Sequence, residues 1–420
     1  MAETEELEIV ALDRRGDGVA ENGTIVPGAL PGERACVRRE GNHAELVEIE
    51  RASEERVVPF CPWFGRCGGC ATQHMSEALY RDWKRALVTQ PLKRAGVEIE
   101  VGPLVDAHGA GRRRAAFHAR FPHGGPEKVG FMRAHSHDIV KIDDCPIFAP
   151  ALAGATVAAR ALARNLRGVG KPLDIGVTAT LDGLDVDIRG SGPLGLVETR
   201  KLIATAEALD LARVSNHGAT VIERRAPRVA FGAALVVLPP DGFLQATQEG
   251  ERLLAEFAEA ALKGSRKVAD LFCGAGAFSL RLARSHEIFA ADLDPAAIAA
   301  LKRGAAATPG LRNVTTETRD LFLRPVRAGE LASFDAVLFD PPRAGAEAQA
   351  QAFVESALTL VVAISCNAAT FARDARILVS GGFRIEKVTP LDQFRYSPHV
   401  EIAAVFRREM QKKRARRLLG

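Results

Sequence analysis

Long apolar runs are missing from this chain of 420 residues. None approaches the ~18 residues that a membrane-spanning helix needs, so no membrane partner is expected. The opening MAETEELE also lacks the basic and apolar regions of a secretory signal. A cytoplasmic protein is therefore expected. In that compartment thiols stay reduced, so the 7 cysteines point to metal or catalysis wherever they cluster, and not to disulfides. Internal repeats are absent too. Net charge is low, +4, and by itself says nothing of a partner.

The distribution of charge says more. Residues 1–59 carry 7 basic against 14 acidic side chains, whereas residues 61–150 carry 13 against 9. Residues 405–420 hold 7 basic residues and 1 acid. Basic patches such as Arg112–Arg114 and the tail suit a polyanion such as nucleic acid. The plain alternative for 411–420 is a solubilising end.

The length suggests two to four domains. Residues 1–58 alternate in period two between glycine-rich breaks, which predicts a small OB-like β-barrel. Residues 59–235 read as a mixed α+β region, with helices at 77–95 and near 151–164. Residues 236–410 alternate strands with helices, which predicts a doubly wound, Rossmann-like α/β sheet. The expected strands are 267–272, 287–291, 314–318, 334–339, 360–364, 383–388 and 401–406. The last two lack a long helix between them, so an antiparallel final strand is expected. Residues 411–420 form a basic tail.

Ligands of such sheets bind beyond the carboxyl ends of the strands, and that is where the reactive residues fall. The first turn, DLFCGAGAFSL, places Gly274 after a strand. The third glycine of a dinucleotide fingerprint is missing, since Ser279 stands there. Asp292 ends the next strand, where an acid accepts ribose hydroxyls. Turn and acid together fit a nucleoside ligand such as S-adenosylmethionine (AdoMet). A further strand ends in FDPPRAG, a rigid turn with Asp340. The aromatic that follows Asp-Pro-Pro in amine methyltransferases is lacking; Arg343 replaces it. The next strand ends in SCN, placing Cys366 in the crevice, and Glu401 opens the last strand. Taken alone, Cys366 is a buried small hydrophobe. Beside a methyl donor it suits addition to pyrimidine C6, with Glu401 as the base that later removes the C5 proton.

A second cluster, CPWFGRCGGC, holds Cys61, Cys67 and Cys70, and Cys145 follows later. The paired C-x-x-C knuckles of structural zinc are absent. A triad plus a distant cysteine fits a 4Fe–4S cluster on four thiolates. Cys36 and Cys273 stand apart and read as packing residues.

With these motifs the chain resembles the iron–sulfur RNA (uracil-5-)-methyltransferases, over nearly its whole length. DPPRAG and SCN-x-x-T carry the resemblance most specifically. It implies a class I AdoMet-dependent methyltransferase domain, an N-terminal TRAM barrel and a 4Fe–4S cluster. Cys366 would be the nucleophile and Glu401 the base. Gln245, Phe272, Gly274, Asp292 and Asp340 would meet AdoMet. Asp320 stands where an Asn contacts the cofactor, and Ala277 replaces an Asn of the glycine turn. The implied function is uridine C5 methylation in structured RNA, 23S rRNA first and a tRNA T-loop second, by a monomer. An iron–sulfur RNA-binding factor without activity is the reading of another class.

Overall fold

The computed structural model describes residues 4–40, 43–122, 125–134 and 136–409; the basic tail 411–420 lies outside the described residues. Strands β1 (Thr4–Leu12), β2 (Gly18–Ala20), β3 (Ile25–Val26), β4 (Arg34–Glu40) and β5 (His43–Arg51) close into a barrel in the order β1-β2-β3-β5-β4. The period-two pattern sends Leu7, Ile9, Val26, Ala35 and Val37 to its core. The barrel is tied to the rest of the chain, for Trp83 donates its indole N–H to the Asp13 carbonyl at 2.9 Å.

Helix α1 (Glu77–Arg94) begins at Ser76, whose hydroxyl accepts the Leu79 N–H at 3.1 Å. Its buried side is Tyr80, Trp83, Lys84, Val88 and Leu92. A lysine inside an apolar stripe needs a partner, and it has one in the candidate site below. Strand β6 (Val105–Asp106) follows. The middle of the chain builds a separate sheet from β7 (Arg114–Arg120), β8 (Lys128–Met132), β9 (Ile139–Val140), β10 (Leu173–Thr180), β11 (Gly183–Arg189), β12 (Arg213–Asn216) and β13 (Ala219–Glu223). Helices α2 (Ala155–Asn165) and α3 (Leu196–Ala208) pack on it. A hairpin, β14 (Arg228–Phe231) and β15 (Ala234–Val237), leads to α4 (Gln248–Leu262).

The remaining elements are β16 (Lys267–Leu271), α5 (Ser279–Leu282), β17 (Glu287–Asp292), α6 (Pro295–Ala307), β18 (Val314–Thr318), α7 (Ala328–Leu331), β19 (Ala336–Phe339), α8 (Glu347–Glu355), β20 (Leu360–Ser365), α9 (Ala368–Ser380), β21 (Arg384–Asp392) and β22 (Glu401–Arg407). They form an eight-stranded sheet in the order β18-β17-β16-β19-β20-β22-β21-β6. The first five run parallel, and β22 inserts antiparallel between β20 and β21. Strands β19 and β20 are buried at every residue, as the unbroken apolar runs AVLF and LVVAIS require.

One strand was not expected. The two residues of β6 complete the sheet edge beside β21, pairing Val105 with Leu391 and Asp106 with Asp392. The expectation that Arg112–Arg114 form a phosphate-facing patch is corrected for Arg113 and Arg114. Arg113 is buried, donates to the Gln245 carbonyl at 3.0 Å and pairs with Glu251. Arg114 lies 3.3 Å from Asp241. These guanidiniums hold segments of the fold together, since carboxylates and carbonyls more than a hundred residues away satisfy them.

Candidate active site and cysteine cavity

The crevice lies beyond the carboxyl ends of the parallel strands. At its β16 end the glycine turn is shaped by packing. A Cβ at Gly276 would lie 2.0 Å from a Leu301 methyl on α6, and its φ is +95°. Glycine is required there. At Gly274 a Cβ would meet nothing within 4 Å, so the turn is open to the crevice. Asp292, ending β17, holds this turn: its carboxylate accepts the Gly274 N–H at 2.8 Å and the Asp294 N–H at 2.9 Å. Phe272 takes a φ of +64°, a costly conformation for a bulky residue. Its ring packs 5.5 Å from Phe322. Asp320 accepts the Phe322 and Leu323 N–H groups at 2.9 and 3.2 Å, so it shapes that same rim.

Below the turn sits Asp270, fully buried. Ser279 donates to one of its oxygens at 2.5 Å, while Oδ1 is buried without a partner. Burial pushes its carboxyl up to about 7. Asp340, at the end of β19, is held well above the usual carboxylate range by burial and by Glu401 and Asp270. Gln245 donates to Asp340 at 3.0 Å and accepts from Gln393 at 2.7 Å. Gln393 in turn hydrogen-bonds Glu401, whose carboxyl burial raises to about 7. An amide chain thus runs from Asp340 to Glu401 and fixes both.

Cys366 follows β20. Ser365 pairs with Ile402 at the end of the antiparallel ladder, which leaves Cys366, one residue on, near Glu401 at the start of β22, whose charge acts on the thiol. Burial, then Glu401 and Asp340, push the Cys366 thiol up to about 11, and Arg343 opposes them. The DPPRAG turn and the SCN loop are bonded together. Asn367 donates to the Arg343 carbonyl at 2.9 Å while its own oxygen caps α9 at the Ala369 N–H. Gly345 is squeezed against α9, where a Cβ would fall 2.6 to 2.8 Å from Arg373, Asp374 and Thr370. Arg343 donates to His399 Nε2 at 3.3 Å. Burial and the cations Arg343, Lys84 and Arg112 lower that imidazole to about 4, so it is neutral near pH 7.

Sequence reasoning missed the support beneath Glu401. Lys84, fully buried on α1, donates to Asp392 at 2.8 Å and to the Phe394 carbonyl at 3.2 Å, and also bonds the His399 carbonyl. Tyr80 bonds the other Asp392 oxygen and accepts the Tyr396 N–H at 2.9 Å. The loop that delivers Glu401 is therefore clamped by α1. The available signal was a single lysine on the apolar stripe of that helix.

The four cysteines of the second cluster line one cavity of about 400 Å³, with Trp63, Phe64, Phe131 and Phe148 in its wall. All are free thiols. Burial raises Cys67, takes Cys70 to about 11 and takes Cys145 to about 12. Among the described residues no three His, Cys, Asp or Glu side chains are close enough to hold a single metal ion. The cavity region touches the loop that leads to Glu401: Ala71 donates to the Tyr396 carbonyl at 2.7 Å, and Arg112 of the cavity wall lies over the Phe394 ring at 5.7 Å. Cys36 is partly buried in the barrel region, and Cys273 is buried beside the glycine turn.

A parallel sheet with a glycine turn, an acid at the second strand end and reactive groups at the next ones defines a class I AdoMet-dependent methyltransferase. A model of the tRNA (Uracil-5-)-methyltransferase family matches residues 238–409. An uncharacterised RNA methyltransferase of Brucella suis biovar 1 is 44% identical over 98% of this chain and 99% of its own length. The 23S rRNA (uracil(1939)-C(5))-methyltransferase RlmD of Chromohalobacter salexigens is 32% identical, covering 97% of this chain and 90% of that protein. The solved tRNA (uracil-54, C5)-methyltransferase of Pyrococcus abyssi, with S-adenosyl-L-homocysteine, superposes with a TM-score of 0.73. It shares 23% identity and covers 96% of this chain and 99% of its own. The chain belongs to the RNA (uracil-5-)-methyltransferase family and is an AdoMet-dependent enzyme of that family. No helix among the described residues is long and apolar enough to cross a membrane.

Proposed function

We propose that this enzyme methylates C5 of a uridine in 23S rRNA through a covalent Cys366–C6 adduct, with Glu401 as the general base. The observation that carries this is the nearness of Cys366, just past the end of the β20–β22 ladder, to Glu401 and Asp340, whose charges act on its thiol. The ribosomal substrate is supported by the relative that acts on 23S rRNA. A tRNA T-loop uridine is the second reading, supported by the name of the matching family model. The catalytic constellation weighs against a binding factor without activity.

AdoMet, when bound, supplies an electrophilic methyl group. The chain offers it the open glycine turn at Gly274, the Phe272 rim, Asp292, Asp320, Gln245 and Asp340. The unpartnered Asp270 oxygen and the raised carboxyls fit a ligand that brings positive charge. Uracil C5 is a weak nucleophile. Addition of the Cys366 thiolate to C6 moves the ring electrons toward O4, and the enolate is nucleophilic at C5. After C5 has gained its methyl, Glu401 takes the C5 proton, the ring double bond re-forms and the thiolate leaves. Nucleophile and base are different groups, as the two steps demand. A paired uridine cannot reach the crevice, so the base must be flipped out.

Cys61, Cys67, Cys70 and Cys145 would hold a 4Fe–4S cluster. Four soft donors around one apolar cavity suit it, and a cluster spaces its thiolates more widely than one ion would. Its role is structural, holding the segment that carries Tyr396 and Phe394 against the RNA path. In this reading residues 1–58 form a TRAM barrel, 59–235 the cluster-bearing region and 236–410 the methyltransferase domain. The enzyme works as a monomer in the cytoplasm.

The test is methylation of 23S rRNA and tRNA transcripts with labelled AdoMet and mapping of the product. The expected product is 5-methyluridine in rRNA; label on tRNA alone selects the second reading. A Cys366→Ala enzyme that still methylates C5 would overturn the mechanism.

A further inference from the structure

The opposite end of the catalytic sheet carries a feature the reaction does not use. A cleft of about 540 Å³ is lined by Lys263, Arg266, Arg281, Arg284, His286 and Arg312, with Glu259 as the acid in its wall. These residues sit at the end of α4, before β16, on α5, and in the turns before β17 and β18. They belong to the amino ends of the parallel strands, whereas the crevice lies at the carboxyl ends. Five residues of β16 at about 3.3 Å each separate the two by roughly 17 Å.

The fold gathers these cations deliberately. The Arg312 N–H donates to the Ala283 carbonyl at 2.7 Å, which sets the Arg312 turn against the Arg284 turn. His286 Nδ1 donates to the Ser265 carbonyl at 2.8 Å, and the Glu287 N–H donates to the Arg266 carbonyl at 2.8 Å. Arg281 is paired with Glu251 at 2.9 Å, yet its buried Nε has no acceptor. Arg266 is 3.5 Å from Glu287. Lys263, Arg284 and Arg312 are exposed, and among the described residues none has a carboxylate partner. Like charges converging without partners cost stability unless an anion offsets them.

We propose that this cleft binds backbone phosphates of an RNA segment remote from the target uridine. The proposal rests on the RNA-substrate reading. Several separated cations around one open cleft suit successive phosphates of a chain better than a single small anion. The acidic barrel, 7 basic against 14 acidic residues over 1–59, repels RNA on its own surface. A long, folded RNA would thus be held at two places, its target loop in the crevice and a flanking segment across the sheet's far end. A short hairpin would reach only the crevice.

The experiment compares wild type with the double variant Arg284→Glu, Arg312→Glu on a long 23S rRNA fragment and on a short hairpin with the same target loop. Binding is measured across a salt series. The double variant is expected to bind the long RNA about 10-fold more weakly, with its log–log salt slope reduced by about 1 to 2, as loss of one or two phosphate contacts implies. Hairpin affinity and turnover should stay unchanged. The control Lys302→Glu, Arg303→Glu, exposed on α6, makes the same change in net charge. Unchanged long-RNA binding would overturn the proposal, as would equal loss on the hairpin or equal loss in the control. Should the double variant melt early, Lys263→Glu at the exposed end of α4 puts the same question. Failure of wild type to methylate either RNA would count against the uridine C5 reading instead, and the isotherms do not depend on it.

Discussion

The crevice at the strand ends and the cysteine cavity both collect ionisable groups that burial has pushed toward their neutral forms. They differ in what holds them. In the crevice the carboxyls of Asp340 and Glu401 are linked through Gln245 and Gln393, and Arg343 counters the charge beside Cys366. In the cavity each held sulfur takes a separate local partner: the Gly69 N–H donates to Cys67 at 3.4 Å, Gln73 hydrogen-bonds Cys70 and the Ile147 N–H donates to Cys145. The crevice is organised by hydrogen bonds among its own side chains. Among the described residues no such chain of hydrogen bonds links the sulfurs of the cavity to one another.

The largest expected effect separates the two reactive groups of the crevice. Glu401→Gln should leave addition and methyl transfer possible but stall elimination. Enzyme and methylated RNA would then stay joined, giving a slow band on a denaturing gel that Cys366→Ala lacks. Absence of that adduct would break the assignment of Glu401 as base.

Next comes the cavity. Protein purified without oxygen should hold about four irons per chain and absorb broadly near ~400 nm. Stoichiometric zinc without iron would remove the cluster reading. Cys145→Ser should lose iron and lower the melting temperature, because a site that the chain does not organise alone loses stability with its ligand. An equally stable Cys145→Ser protein would show that the cavity is as self-sufficient as the crevice.

A smaller effect belongs to the clamp under Glu401. Lys84→Met leaves Asp392 buried without its cation and should cost about 3 kcal/mol of stability, measured by denaturant unfolding. The companion Lys84→Met, Asp392→Asn should recover part of it. If both variants match wild type, α1 does not support the loop.

The mildest effect is on pH. Asp270 and Glu401 are raised to about 7 in the folded protein. A raised carboxyl favours the protonated folded state, so their ionisation lowers stability as pH rises from about 4.5 to 7. A cationic ligand opposes that loss. AdoMet should therefore raise the melting temperature more at pH 8 than at pH 5.5, and S-adenosylhomocysteine, lacking the sulfonium charge, should show less of this difference. Equal shifts at both pH values would mean the carboxyls do not face the cofactor's charge.

Much of the sheet was legible because buried parallel strands announce themselves as unbroken apolar runs. Val314–Thr318 and Pro295–Ala307 fall where the pattern puts them, and β20 gains only Ser365. Strand β6 was not legible, since two residues carry no periodicity and their pairing depends on β21, almost three hundred residues away. The arginine run was misread for a related reason. Three adjacent charges look like a solvated patch, and only the tertiary partners Gln245, Glu251 and Asp241 reveal two of them, Arg113 and Arg114, as ties. The residues of the crevice were visible as motifs at strand ends, but the amide chain through Gln393 and the buried Lys84 emerge only once distant segments touch.

Strand β6 also decides what can be cut from this protein. Residues 238–409 look like a self-contained module in sequence, yet their sheet borrows its outermost strand from Val105–Asp106 and its internal cation from Lys84. Excised, that piece would present the bare flank of β21 to solvent, an open template for other chains. It would also strand Asp392 without its counterion. The enzyme is thus modular in its motifs but not in its folding, and a transplantable catalytic unit would have to begin upstream of α1.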